Sequence, residues 1–194
     1  MSKLSRDQLM TLEAYAKARP EIRAQVMAHK KDRTIALGDH VTLIFEDELT
    51  IRYQIQEMLR VERIFEEIGI QDELDAYNPL IPDGTNWKAT MLIEYPDVEE
   101  RQVMLRRLKG IEDKLWVQAA GQPKIYALAD EDMERANEEK TSAVHFIRFE
   151  LDTASIAAVK AGAAIALGVE HPEYTSHIAP LPERVRSSLA QDLA

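Results

Sequence analysis

The sequence contains no cysteine, and that absence removes several chemistries at once. No disulfide can form, and no thiolate zinc site, cysteine-ligated iron–sulfur cluster or cysteine nucleophile can be built within the chain. Reactive work is left to histidine, carboxylate, hydroxyl and lysine groups. Glycine and proline are scarce, 7 and 8 residues of 194, too few for a low-complexity linker. Long apolar runs are missing as well. Nothing approaches the length of a membrane span, and the opening MSKLSRDQLM lacks the apolar centre of a signal peptide. A cytoplasmic protein without a membrane segment is expected. Positive charge is the minority sign: 24 Lys and Arg face 34 Asp and Glu, a formal charge of -10, which makes nucleic acid a poor partner. There is no glycine-rich phosphate loop, nucleophile elbow, HExxH zinc pair or dinucleotide fingerprint. A chain of this length fits one domain spanning 1–194.

What is present is organised around FEDELTIRYQIQEMLRVERIFEEI, Phe45 to Ile68. On a helical wheel, Ile51, Ile55, Met58, Leu59, Val61, Ile64, Phe65 and Ile68 form one broad apolar arc. The pattern predicts one long helix from about Leu49 to Gln71, packed on a sheet. Gln56, Arg60, Arg63 and Glu67 fall opposite, toward solvent or a partner. Gln54, Glu57 and Glu62 project among the apolar residues, where a carboxylate must be paired, protonated or bound to a cation.

Around this helix the chain alternates short helices and strands. Ser5 and Gln8 form a capping-box pattern, and Pro20 is expected to separate a first helix from a second. The second exits through His29, Lys30, Lys31, Asp32 and Arg33, the main basic cluster, which cations at a helix C-terminus explain better than an anion site does. Thr34–Leu37 and Val41–Glu46 read as a hairpin turning at Gly38. Trp87–Tyr95 is a strand with Trp87, Ala89, Met91 and Ile93 on its buried face. Asp97 caps a helix carrying Leu105 and Leu108. Leu115–Ala119 and Lys124–Ala129 form a second hairpin about Gly121 that extends the sheet. The polar run Asp130–Lys140 is a short exposed helix or a connection. Ala143–Leu151 is a strand with His145, Ile147 and Phe149 on one face, Asp152 caps a short helix, and Ala163–Val169 is a last strand before His171-Pro172. His171 and His177 read as loop histidines. Leu181–Leu193 reads as a surface helix whose end, from Asp192, frays. The fold expected is α+β, a mainly antiparallel sheet with one long helix packed on it and peripheral helices at both termini.

Two functional readings follow. In one, Gln54 and Glu57 meet His145 or Arg148 across the helix–sheet junction. A carboxylate there could serve as a general base if burial raised its pKa, or could join His145 in a metal site. His40 and Glu46 are further metal candidates, although as a pair they are too few to define a site. In the other, favoured reading, Glu57 is half of a buried structural pair, and the Gln54, Glu57, Arg60 and Arg148 surface recognises a partner or small ligand.

The segment IALGDHVTLIFEDELTIRYQIQEMLRVERI, the preceding RPEIRAQVMAHKKDR and the total length resemble the bacterial and archaeal family called domain of unknown function 3501. QIQEMLR, Gln54 to Arg60, is the most specific part of that resemblance. The resemblance implies no activity and no catalytic residue. It does imply kinship with proteins encoded near rubrerythrin-like and iron–sulfur proteins, and hence an accessory role in oxidative-stress or iron metabolism with a protein partner from such a pathway. The expectation is therefore a cytoplasmic accessory or interaction protein, with a metal-dependent or acid–base enzyme using a core-facing carboxylate as the rival. No cofactor is specified by the residues. A homodimer is compatible with the composition, but no apolar seam marks its surface.

Overall fold

The computed structural model describes residues 3–132, 135–136 and 139–194. Helix α1, Leu12–Lys30, begins at Thr11, whose side chain accepts from the Ala14 N–H, and it continues through Pro20. The break expected there does not occur. The helix is anchored on both sides of the proline, by Tyr15 and Arg19 before it and by fully buried Val26 after it. Strands β1, Thr34–Leu37, and β2, Val41–Phe45, pair antiparallel as the hairpin pattern requires, with Gly38 at the turn in a left-handed conformation, φ 70°.

Helix α2, Glu48–Glu62, starts at a capping box in which Asp47 and Thr50 exchange hydrogen bonds. It stops at Arg63, which adopts a left-handed conformation at φ 56°. The N–H groups of Arg63 and Ile64 both donate to the Leu59 carbonyl, and Ile64 folds back to pack on the cluster that contains Leu59. A second helix, α3, Glu67–Tyr77, then leaves in a new direction. The single long helix expected from the apolar arc is thus two. Together with Leu4, Leu9 and Ile81 they form a separate hydrophobic cluster of Ile51, Ile55, Leu59, Ile70 and Leu74, apart from the core between the sheets.

That larger core belongs to two antiparallel sheets. Strand β3, Asn86–Ile93, helix α4, Val98–Arg107, and strand β4, Leu115–Ala119, follow the expected alternation and caps. Strands β5, Ile125–Tyr126, and β6, Leu128–Ala129, are two halves of one crossing segment: β5 pairs with β4, and β6 pairs with β7, Val144–Glu150. Helix α5, Thr153–Lys160, strands β8, Ile165–His171, and β9, Tyr174–Ile178, and helix α6, Glu183–Ala190, complete the order. The five-stranded sheet runs β1-β2-β3-β7-β6 and the four-stranded sheet β5-β4-β8-β9. The fold is α+β, with the antiparallel strands divided between two facing sheets.

The sheets are joined at both edges. On one side Ala127 links β5 to β6, its N–H donating to Leu115. On the other, the Tyr174 hydroxyl donates to the Leu37 carbonyl at 2.5 Å and accepts from the His40 N–H at 3.1 Å. Instead of ending at His171-Pro172, the chain turns there into β9, so His171 and His177 lie on paired strands and His171 is buried. Helix α6 packs on the core by one face. Val185, Leu189 and Leu193 enter the core, and Trp87 Nε1 donates to the Leu189 carbonyl. Asp192, expected to fray, is buried against Arg33, whose guanidinium also donates to the carbonyls of Phe45 and Glu46. His29 pairs with Asp47 at 2.5 Å. Two of the cations at the exit of α1, His29 and Arg33, are thereby tied into the molecule. Part of the Asp130–Lys140 run, and with it the expectation of a short helix, lies outside the described residues. Among the described residues no helix is long and apolar enough to cross a membrane.

Candidate functional site

Glu57 does meet partners, but not the expected ones. Arg19 of α1 donates to both carboxylate oxygens at 2.7 and 2.8 Å, Tyr15 donates at 2.7 Å, and Arg60, one turn along α2, donates at 3.2 Å. His145 and Arg148 are elsewhere. The Arg19 hydrogen bonds pull the Glu57 carboxyl down to about 2, burial opposes them, and Tyr15 and Arg60 add to the lowering. Burial, then Glu57, push the Tyr15 phenol up. A carboxylate held ionised by two guanidiniums is a poor proton acceptor near neutrality. Glu57 fixes α1 to α2, in line with the structural reading. Gln56, expected on the solvated side, is buried and brackets the Met10 backbone, accepting from its N–H at 2.6 Å. Gln54 is half-buried and Glu62 is exposed.

His145 sits on the inner face of β7 with no exposure. Its Nδ1 lies 2.5 Å from Asp130 and its Nε2 2.8 Å from the Thr141 hydroxyl, which itself donates to Glu112 at 3.0 Å. Hydroxyl, imidazole and carboxylate stand in the order of a nucleophilic relay. Thr141, however, is 1% exposed, and its hydroxyl hydrogen is committed to Glu112, so no substrate reaches it. The group satisfies the polar atoms of an otherwise apolar interior. His40 and Glu46 do not share a surface: His40 stacks on Tyr95 and contacts the Glu94 carbonyl, while Glu46 accepts from Thr50 and Thr90 at 2.5 and 2.6 Å. Among the described residues no group of three or more histidine or acidic side chains is placed to hold a metal. Arg148 lies on the outer face of β7, bound by Glu131 at 2.7 Å and by Glu150.

The feature that sequence reasoning missed is the corner between α2 and α3. Because α2 ends at Arg63, Phe65 and Ile68 leave the apolar arc and stand in solvent, 69% and 77% exposed, next to Val61 of the last turn of α2, which is 62% exposed. Met10 joins them. Beside them a cleft of about 150 Å³ is floored by Leu59, Ile64 and Ile70. The surroundings are acidic: from Val61 to Tyr77 the chain carries Glu62, Glu66, Glu67, Asp72, Glu73 and Asp75 against the single cation Arg63. Burial and then the neighbouring Glu62 and Asp72 push the Glu73 carboxyl up, the expected response to unneutralised negative charge. Neither glycine nor proline marks the helix end at Arg63, so the wheel continued the arc across it.

The family model described as "Protein of unknown function (DUF3501)" matches residues 3–193. A crystal structure of a novel protein of unknown function from Burkholderia pseudomallei K96243 is similar over the full length of both chains, with 54% identity and a TM-score of 0.94. Among curated proteins there is no match.

Proposed function

The chain belongs to the DUF3501 family, whose description carries no activity, and from that premise we propose that it is an interaction protein that docks a partner at the α2–α3 corner. One observation carries the reading: Val61, Phe65 and Ile68 are exposed together at a point where the chain departs from its own helical pattern. A contiguous apolar patch rimmed by charge is the usual mark of a protein contact. Its chemistry favours a partner that presents apolar side chains among lysines or arginines, since the segment carrying the patch holds six carboxylates, of which Glu67 is paired with Arg6. A two-fold contact with a second copy would set those carboxylates against their own equivalents, which disfavours a homodimer through this face. The rival enzyme reading has less support, because Glu57 is neutralised by Arg19 and Arg60 and His145 is sealed from solvent. A cytoplasmic setting and a partner from iron or redox metabolism, including the rubrerythrin-like proteins, are the first places to look.

The test places a photo-crosslinking residue at position 65 of the full chain, and separately at position 103, where the exposed Val103 of α4 serves as an apolar control. A discrete adduct with another protein at position 65, absent at 103 and lost when Ile68→Glu is added, is expected. No adduct at 65, or the same adduct at both positions, overturns the reading. An adduct of two copies of this chain would replace it with self-association.

A further inference from the structure

Independently of the corner, the outer face of the five-stranded sheet bears a cleft of about 490 Å³ roofed by the segment that follows α3. Its wall is largely apolar, with Leu80, Ile81 and Phe146 among the lining residues, and its charged groups are Lys3, Lys88, Arg148 and three carboxylates. Those carboxylates are already engaged. Glu131 is held by Arg148, Asp132 by Arg135 at 2.6 Å, and Asp83 accepts from the backbone and hydroxyl of Thr85. Arg148 is likewise matched by Glu131 and Glu150. The two lysines differ: among the described residues no carboxylate is within ion-pair distance of Lys3 or Lys88.

Lys88 and Arg148 are direct partners across the β3–β7 register, a like-charge pairing that Glu131 and Glu150 offset on the Arg148 side. The Lys88 ammonium donates to the carbonyls of Pro79 at 2.6 Å and Ile81 at 3.0 Å. These bonds fix its position and leave one of its three N–H donors unassigned. The carboxylates of Asp83, Glu131 and Glu150 act on this ammonium from beyond ion-pair distance, so an oriented lysine with one N–H donor unassigned beside an apolar cleft is the specific feature.

The geometry points to a binding site for a small monocarboxylate with an apolar body, its carboxylate on Lys88 with Lys3 at the rim and its aliphatic or aromatic part against Leu80, Ile81 and Phe146. The cleft lies in the size range of small-molecule sites. A phosphate is a poorer fit, because it calls for several convergent donors and the Arg148 fork is already occupied. Burial holds the Lys88 ammonium below the ordinary lysine range, with Asp83 opposing and Arg148 adding to the lowering, and a bound carboxylate would work against that shift.

The probes are hexanoate and benzoate, with hexanamide, benzamide and inorganic phosphate as controls, titrated into the ¹⁵N-labelled protein. Saturable shifts of the Ile81, Phe146 and Arg148 amides with at least one carboxylate are expected, with the matching amide and phosphate at least about tenfold weaker. Lys88→Met should weaken the carboxylate by a similar factor while leaving the spectrum of the sheet core in place. Should Lys88→Met disturb the fold, the acid–amide comparison in the unaltered protein decides the matter. No saturation by either carboxylate up to about 10 mM, or equal binding of acid and amide, overturns the proposal.

Discussion

Glu57 shows what a single residue discloses in advance and what it withholds. A carboxylate on the apolar side of a helical wheel announces that something must answer it, and Tyr15, Arg19 and Arg60 do. Their identity was hidden because Tyr15 and Arg19 come from another helix, 42 and 38 residues away in the chain. His145 follows the same logic. Strand alternation placed it on the inner face of β7, but Asp130, Thr141 and Glu112 reach it from a connection and a turn with no periodic pattern. We expect Glu57→Gln to lower stability by about 2 kcal/mol at neutral pH, since two guanidiniums lose a charged acceptor, and to lower Tm by roughly 4–8 °C. The pH dependence has a definite sign. The Glu57 carboxyl is depressed from 4.5 to about 2 on folding, so its contribution is complete above the unfolded value and is lost as pH falls through about 2. Denaturant unfolding of both proteins should therefore show a gap that is full at neutral pH and narrower near about pH 3; a gap of constant width would mean that Glu57 is not the titrating group.

Elements were legible where their signals are local. Asp97 and Asp152 cap α4 and α5 as expected, each accepting a backbone N–H at its helix start. The end of α2 was not legible, because a left-handed turn made by arginine carries no compositional mark and is secured by Ile64 packing back on the Leu59 cluster. Continuity of α1 through Pro20 was missed for the opposite reason: tertiary anchors overrode a local breaker. The two helix models differ in a measurable quantity. With Phe65 and Ile68 in solvent, Phe65→Ser and Ile68→Ser should each change unfolding free energy by no more than about 0.5 kcal/mol, whereas Leu59→Ala in the buried cluster should cost about 2–5 kcal/mol. Losses of core size at 65 and 68 would restore the single continuous helix.

At the scale of the whole molecule, α+β and antiparallel were readable, but the division into two sheets was not. The β5–β6 segment looks like one strand of a hairpin, and only its register shows that its halves serve different sheets. The closing role of the last helix was equally hidden, since the buried pair of Arg33 with Asp192 joins residues that share no local pattern. Burial pushes the Asp192 carboxyl up to about 6 against the pull of Arg33, which leaves the pair charged at neutral pH. Asp192→Ala leaves the buried Arg33 guanidinium with Asp47, at 3.5 Å, as its remaining carboxylate and should cost about 3 kcal/mol, read as a lower denaturation midpoint; a loss below about 1 kcal/mol would show that Asp47, Ser188 and the backbone carbonyls satisfy Arg33 without it.

The same pair also has a place in time. Arg33 leaves the ribosome 159 residues ahead of its carboxylate, which at ordinary elongation rates is a delay of roughly 10–30 s. Throughout that interval the end of α1 and the first hairpin lack the group that seals them, and the Trp87 indole lacks the Leu189 carbonyl. The amino-terminal half is therefore incompletely closed during that interval, and a chain released before residue 192 holds Arg33 on Asp47 and backbone carbonyls alone, a defect that distinguishes it from the finished protein.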